Sequence, residues 1–552
     1  MKRRHFLKRT LAGVALTTVG ASVRGNLLAG ALEPKQLLAL AGTSAPSTSY
    51  YTRMFPGLRG KPSRPRADIE EGLRKLGGAM VDTDPSIEPE NQPRLPPAGY
   101  TYLGQLIDHD LTLDLTPLEN AGDNVERTQN FRTPSLDLDQ LYGGGPNLSP
   151  FLYRRDSPPG TSPRNAERFL IGKTITAGGR EASEDDLPRN SEGIALTADP
   201  RQDENLILAQ LHVAFLKLHN LIIADSSILN GSPNYRRKGD SDFATAQRVV
   251  RWHYQWIVRY DYLKAILDST VFEGLKKVEE KKRANSQSDF KVPVEFNVAA
   301  FRFGHSMVRD AYKGINNNQK DVGLSTIFGL TGPKGLTPPG KPTNLALPAE
   351  WRICWNRFFE IGILTSHINR ARKIDTQIAN GLYHLDEQDV KHFNVPIPME
   401  HLEPKLPVRT LLRGFRMDLP SGEDVAREIS RREPGIKILT EDEIVNGVHK
   451  EILTDPKYGF RKNTPLWYYV LKEAEVTPRN GRYLGPVGSY IVADVILDAL
   501  VADHDSYLWS PDYPKWVPTL DDGEANSMGK LLKFVFPTMS ADSLCDPRRL
   551  GS

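Results

Sequence analysis

The stretch GQLIDHD, residues 104–110, places a histidine between two carboxylates inside an otherwise apolar segment. On a helix, Gln105, Asp108 and His109 share one face because they lie at positions i, i+3 and i+4. Asp110 is turned away from that face by about 100°. Buried polar groups are costly unless they have partners. We therefore expect this stretch to form a helix that offers its polar side chains to two different ligands.

The sequence around this stretch has mostly helical periodicity. Apolar side chains recur every three or four positions from residue 204 to residue 224, which is the spacing of a helix with one buried face. Similar segments cover residues 244–267, 351–372 and 487–502, whereas alternating strand patterns are scarce. No internal repeat and no clear linker interrupts residues 45–545. The pattern predicts a mainly α protein with few short strands and one large helical domain over residues 32–552.

The composition is that of a globular protein with a small net charge. Of the 552 residues, 39% are hydrophobic and 25% are charged, which allows one large core or two domains. The formal net charge is +3, and residues 1–31 contribute six Lys and Arg side chains without any acid, so the rest of the chain carries −3. Nucleic-acid-binding proteins usually have a basic face, so we expect no nucleic acid partner. Cys354 and Cys545 allow one disulfide but imply no disulfide framework.

The N-terminus has the features of an export signal. The sequence KRRHFLK, residues 2–8, resembles a twin-arginine signal, and an apolar run over residues 11–23 and three small residues, 29–31, follow it. We expect a signal peptide over residues 1–31, and transfer by the twin-arginine export machinery to the periplasm or the outside of the cell. A membrane anchor is the alternative, but the apolar run is shorter than the roughly 20 residues that span a bilayer. We therefore expect no stable membrane span in the mature chain.

A second polar segment has oxygen-bearing side chains at every second residue, at Thr133, Ser135, Asp137 and Asp139. In an extended loop these side chains point the same way. Calcium binds six to eight hard oxygen ligands, so the four residues together with Asp110 form a credible calcium site. An ordinary acidic turn is the alternative, and the association with Asp110 favours the metal.

Two further segments carry residues that suggest chemistry. Arg201 and Glu204 lie three residues apart at the start of the apolar helix and share a face. Acidic residues are favourable in a first helical turn, which accounts for Glu204 but not for the arginine. His305 follows a glycine in aromatic surroundings. A lone histidine of this kind is more often a hydrogen-bonded core residue, but haem iron commonly takes one neutral imidazole as its axial ligand.

Taken together, these segments resemble the animal-type haem peroxidases of the peroxidase and cyclooxygenase superfamily. The likeness covers nearly all of the chain after the signal, and it includes LYG at residues 141–143, RG at residues 413–414, LPSG at residues 419–422 and LGPVG at residues 484–488. The export signal would make the chain an exported bacterial member. The resemblance implies haem b as cofactor, hydrogen peroxide as oxidant, and a halide, thiocyanate or a small phenolic or other organic molecule as electron donor.

The resemblance also implies a role for each candidate residue. His109 matches the distal base, Arg201 the distal arginine and His305 the proximal iron ligand, while Gln105 would hold water or halide in the distal pocket. Asp108 and Glu204 match the two carboxylates that form ester links to haem methyl groups, and Arg302 and Arg413 would pair with the haem propionates. The residues that match the calcium ligands are Asp110, Thr133, Ser135 through its carbonyl, Asp137 and Asp139.

Two positions depart from the family pattern. Some vertebrate members have a methionine after the ester-forming glutamate, which bonds to haem as a sulfonium, and this chain has Asn205 there. Without that bond we expect weaker oxidising power, so that iodide, bromide or thiocyanate is a better donor than chloride. Thr410 stands where members usually have an asparagine that hydrogen-bonds the proximal imidazole. Its hydroxyl is the candidate substitute.

Three other functions are alternatives to a peroxidase. A fatty-acid dioxygenase or cyclooxygenase requires a radical tyrosine three residues before the proximal histidine, and this chain has Arg302 there. A non-catalytic calcium-binding adhesion protein on the same scaffold would tolerate the loss of His109 or Arg201, and both are present. A zinc hydrolase would use His212 and His219, but their spacing of seven lacks the tight paired-ligand motif of such sites. We expect these two histidines to be core or surface residues.

Overall fold

Helices form most of the regular structure in the computed structural model, which describes residues 49–83, 95–116, 118, 125–154, 167–176, 179–231, 235–286, 289–316, 321–332, 346–361, 368–383 and 403–537. The longer helices are α1 (Arg66–Ala79), α2 (Gly99–Leu111), α3 (Leu206–Ala224), α4 (Asp242–Ile257), α5 (Ser269–Ala284), α6 (Leu406–Arg416), α7 (Gly422–Arg432), α8 (Leu466–Val476), α9 (Pro486–Ala502) and α10 (Met528–Val535). The predicted mainly α class is confirmed.

Shorter helical segments connect these helices. Short α-helices cover Asp139–Tyr142, Gly145–Leu148, Ser226–Gly231, Leu263–Ile266, Leu324–Gly329, Asn380–Tyr383, Glu441–Val445 and Lys450–Thr454. Turns of 3₁₀-helix cover Val125–Arg127, Pro150–Leu152, Pro200–Asp203, Ala300–Met307, Ala349–Trp351, Trp355–Arg357, Tyr507–Trp509 and Leu520–Gly523. Single π-turns occupy Val258–Tyr262 and Glu295–Ala299.

The described residues contain one small antiparallel sheet, formed by β1 (Ala311–Lys313) and β2 (Asp321–Gly323). Tyr312 is paired with Val322 in the register of the two strands. The Tyr312 side chain is buried, and the hydroxyls of Tyr102 and Tyr312 lie 2.9 Å apart in a hydrogen bond. This contact fastens the small sheet to α2.

Helix α3 lies at the centre of the core. It is apolar nearly all round, as expected for a helix that is buried on every side. Its length and composition would also suit a membrane crossing, but most of it is buried inside the protein. The Asn205 side chain accepts a hydrogen bond from the Leu208 N–H at 2.9 Å and so caps the N-terminus of α3. Because α2 packs against α3, the predicted polar face of α2 lies near this capped end.

Close packing brings the other polar segments to α2. A Cβ atom on Gly104 would lie 2.5 Å from the Tyr262 hydroxyl, so only glycine lets α2 approach the π-turn that follows α4. The 3₁₀ segment Ala300–Met307 carries His305 and also packs against α2. On its other side, the Trp467 indole of α8 donates to the Arg302 carbonyl at 3.1 Å.

The helix predicted over residues 351–372 is wrong. Within the described part of that range, only the short turns Ala349–Trp351 and Trp355–Arg357 are helical. The backbone bonds to other segments instead, because the Cys354 N–H donates to the Ile315 carbonyl and the Phe358 carbonyl accepts from the Gly99 N–H. The apolar side chains fill gaps between elements rather than one face of a helix. The helices predicted near residues 204–224, 244–267 and 487–502 are confirmed.

Two predictions concern the ends of the chain. The signal peptide predicted at residues 1–31 lies outside the described residues, so export and the domain boundary at residue 32 stay predictions. Cys354 is buried and disulfide-bonded. Cys545 lies outside the described residues.

Candidate functional site

One cavity of about 370 Å³ brings together predicted site residues from four distant segments of the sequence. His109 of α2 and His305 of the 3₁₀ segment both line it. The other predicted residues in its wall are Gln105, Asp108, Arg201, Glu204, Arg302, Thr410 and Arg413. A volume of this size lies within the usual range of small-molecule and cofactor sites.

His109 is held as a neutral imidazole. Burial and the positive charge of Arg201 lower its pKa well below the ordinary value, so the ring is able to accept a proton at neutral pH. Its Nδ1 lies 3.4 Å from the amide nitrogen of Gln202, and its Nε2 lies 3.9 Å from a carboxylate oxygen of Glu204. Sequence reasoning missed Gln202, whose side chain is fully buried.

Arg201 is fixed by a carboxylate that sequence reasoning also missed. Its Nη2 and Nε donate to Asp199 at 2.8 and 3.1 Å, and its Nη2 also donates to the His109 carbonyl at 3.1 Å. Arg132 donates to the same carboxylate at 2.8 Å. Although burial raises the pKa of Asp199, these two guanidinium groups hold it well below its ordinary value. The N-cap pattern Asp199-Pro200 was the available sequence signal.

The side chains beside His109 form a short hydrogen-bond chain. The Gln105 amide donates to Glu204 at 3.1 Å, and the Asn205 amide donates to the Gln105 oxygen at 3.0 Å. Asp108 accepts from the Thr112 hydroxyl at 3.1 Å. Burial raises the pKa of Asp108, and the charges of nearby arginines oppose that rise. Gln105 is thus oriented on both ends of its amide group.

His305 is neutral as well. Burial, together with the charges of Arg302 and Arg409, lowers its pKa to about 3. The neutral imidazole is the form that coordinates a metal. Its Nδ1 is buried without a hydrogen-bond partner. The Thr410 hydroxyl donates instead to the Leu406 carbonyl at 3.0 Å, so it does not make the hydrogen bond that the sequence analysis suggested.

Three further arginines line the same cavity but differ in their partners. Arg413 donates to Asp114 and to the Thr116 carbonyl, each at 2.6 Å. The Arg302 Nε donates to the Asn297 carbonyl at 3.0 Å. Arg409 is the third of these arginines, and sequence reasoning missed it. Its spacing of four from Arg413 on a helix could have indicated that the two side chains share a face.

Three of the predicted calcium ligands lie close together. Oxygens of Asp110, Asp137 and Asp139 lie within 4.8 Å of one another. Both oxygens of Asp110 are buried without a hydrogen-bond partner, and burial and the two neighbouring carboxylates raise its pKa well above the ordinary value. The Thr133 hydroxyl donates to Asp137 at 2.9 Å, and Ser135 lies in the same loop. This cluster of hard oxygens fits a divalent cation such as calcium.

The two histidines that a zinc hydrolase would need are core residues. His212 and His219 are both buried. The His219 ring nitrogens lie 3.2 Å from the Tyr142 hydroxyl and 3.2 Å from the Glu167 carbonyl, which occupies both of them. Among the residues that the structure describes, no cluster of potential metal ligands includes a histidine or cysteine.

Comparison with known proteins gives partial sequence matches. The chain is 26% identical to thyroid peroxidase of Rattus norvegicus over 201 residues, which are 36% of this chain and 21% of that protein. It is 26% identical to lactoperoxidase of Mesocricetus auratus over 203 residues, or 35% of this chain and 27% of that protein. The chain thus matches less than a third of the length of these relatives.

Solved structures share the fold over most of their length. Peroxidase A from Dictyostelium discoideum superposes with a TM-score of 0.51 at 14% identity, covering 91% of this chain and 94% of that one. A fatty acid alpha-dioxygenase of Oryza sativa gives a TM-score of 0.54 at 11% identity, covering 92% and 90%. The animal haem peroxidase family model matches residues 102–332, which include both cavity histidines and Arg201. The similarity to the animal haem peroxidase family thus lies in residues 102–332, which hold most of the polar side chains of the cavity.

Proposed function

We propose that the protein is a haem peroxidase that reduces hydrogen peroxide and oxidises a small donor. The observation that carries the proposal is one cavity that contains a neutral His109, an arginine fixed beside it and a second neutral histidine, His305. A histidine that first acts as a base and a histidine that binds a metal both need to be neutral. The family match and the peroxidase relatives support the same activity.

The residues of the cavity fit a haem group. His305 would bind the iron, and the basic side chains of the wall would bind the propionate carboxylates. Haem, when bound, would supply an iron that accepts a peroxide oxygen and stores the two oxidising equivalents passed on to the donor. The described geometry also suits a divalent cation behind α2, which would hold Asp110, and with it the helix that carries His109, in place.

The protein's own groups would handle the protons and the charge. His109 would take a proton from hydrogen peroxide and return it to the outer oxygen as the O–O bond breaks, so that this oxygen leaves as water. Arg201 would stabilise the negative charge that develops on the leaving oxygen. Because Asp199 binds both Nε and Nη2 of Arg201, the guanidinium needs no reorganisation during the reaction.

We infer that iodide, bromide, thiocyanate or a small phenol is the donor rather than chloride. Asn205, at the position of the sulfonium-forming methionine, caps α3 and orients Gln105 instead. The purified full chain, given peroxide and no lipid, should oxidise iodide and thiocyanate much faster than chloride. Spectrophotometric assays of chloride, bromide, iodide, thiocyanate, tyrosine and phenols measure this order. Oxygen uptake with a fatty acid, in the absence of donor turnover, would contradict a peroxidase and favour an oxygenase.

We further propose that Asp108 and Glu204 form ester links to the haem. Both carboxylates line the cavity, and burial raises the pKa of Asp108. Acid–acetone extraction should leave haem attached to the wild-type chain and release it from the Asp108→Asn, Glu204→Gln double variant. Asp114→Asn removes another carboxylate of the cavity wall and should leave haem attached. Free release from the wild type would exclude the ester links.

Removal of calcium should destabilise the protein. Binding of a cation to the folded state alone stabilises it by about 2.7 kcal/mol when the cation concentration is 100 times Kd. A chelator should therefore lower the thermal unfolding midpoint of the wild type, and calcium should restore it. Asp137→Asn should abolish this response, whereas Asp442→Asn, at an exposed acid that is not part of the cluster, should preserve it. An unfolding midpoint insensitive to calcium would remove the site.

A further inference from the structure

Arg409 is a cation of the cavity wall that has no counter-charge in contact with it. It lies on α6, one turn before Arg413, and is partly buried. Within the described part of the chain, its side chain makes no hydrogen bond and no ion pair. Burial and the neighbouring charges of Arg413 and Arg302 lower its pKa to about 10. The group is nevertheless charged at neutral pH.

Two of the other arginines of the cavity are already paired with carboxylates, whereas Arg302 bonds only to the Asn297 carbonyl through its Nε. Arg201 is paired with Asp199, and Arg413 is paired with Asp114 at 2.6 Å and also bonded to the Thr116 carbonyl. The two contacts of Arg413 connect α6 to the segment that follows α2, so its guanidinium already has a structural role. A partly buried cation beside other cations is unfavourable unless an anion compensates it. A carboxylate is a suitable anion, because a guanidinium group can donate two parallel N–H bonds to its two oxygens.

We propose that Arg409, rather than Arg413, pairs with a propionate carboxylate of the haem. This inference rests on the proposed function, because it assumes that haem occupies the cavity. It reassigns the role that the sequence resemblance gave to Arg413, whose guanidinium is occupied by Asp114. A free organic acid could offer the same carboxylate, so the experiment has to separate the two sources.

The test compares haem with its dimethyl ester, in which both propionates are uncharged. Soret titration of the full chain, without peroxide, gives the Kd for each compound. We expect the wild type to bind haem at least ten times more tightly than the ester. Arg409→Leu should weaken haem binding about tenfold and reduce the preference for haem over ester, while Arg409→Lys should retain part of that preference. Arg416→Leu, on the same helix but paired with Glu70 outside the cavity, should behave like the wild type.

The results of these titrations either support or overturn the proposed role of Arg409. Unchanged haem affinity in Arg409→Leu would overturn it, with circular dichroism confirming that the variant is folded. If that variant does not fold, Arg409→Lys and Arg409→Gln decide, since equal haem preference in the two would show that the charge is irrelevant. A wild type that binds haem and ester equally, but binds benzoate through Arg409, would assign the residue to a free acid and overturn the proposal. A wild type that binds no haem at all would overturn the proposed function itself.

Discussion

His305→Ala should abolish or greatly alter the Soret band of the haem-loaded protein. A neutral imidazole is the axial ligand that this cavity offers to iron, and alanine removes it. The absorption spectrum of the purified protein, compared with the wild type at equal protein concentration, measures the effect. We expect most of the bound haem to be lost or to show a different ligation state.

Two controls separate ligation from a general disturbance of the fold. His504→Ala removes an exposed histidine that stacks on Trp509 and should leave the spectrum unchanged. His305→Gly leaves space for free imidazole, and added imidazole should restore much of the Soret band. A wild-type spectrum in His305→Ala would remove this histidine as the iron ligand.

His109→Ala should keep the haem and slow its reaction with hydrogen peroxide by a factor of about 10² or more, the usual range for the loss of general acid–base catalysis. The physical reason is that no other neutral base in the described wall of the cavity takes the place of this imidazole beside Arg201. Stopped-flow measurement of the Soret change at limiting peroxide gives the rate constant.

Two measurements on His109→Ala separate the loss of haem binding from the loss of reaction with peroxide. The resting Soret band and the haem content of His109→Ala should match the wild type, because His305, the proposed iron ligand, is unchanged. His504→Ala again serves as the matched control and should react at the wild-type rate. A rate for His109→Ala that stays within a few-fold of the wild type would rule out the proposed base.

The spacing of residues predicted the local structure correctly, because that structure depends only on helix geometry. The i, i+3, i+4 spacing put Gln105, Asp108 and His109 on one face of α2, and all three line the cavity. The 100° rotation put Asp110 on another side, where it meets Asp137 and Asp139. The helix predicted at α3 is likewise present, because a helix satisfies its own backbone hydrogen bonds, but it is buried nearly all round rather than on one face.

The sequence predicted contacts between distant segments less well. Residues 351–372 have helical spacing, but their backbone bonds to Ile315 and Gly99 instead, so tertiary pairing overrode the pattern. Arg413 resembles a propionate ligand in sequence, but it is held by Asp114, nearly 300 residues away. No spacing rule connects two such segments, because the contact exists only after the chain has folded.

The sequence by itself therefore determined the helical class, the two faces of α2 and the residues capable of acid–base, metal and haem chemistry. These features follow from residue type and from the fixed geometry of a helix. Only the tertiary structure decided which charges are compensated. It paired Arg201 with Asp199, placed Gln202 against His109, engaged Arg413 with Asp114 and left Arg409 facing the cavity. Such pairings depend on distances between atoms of different segments, which packing sets and sequence spacing does not.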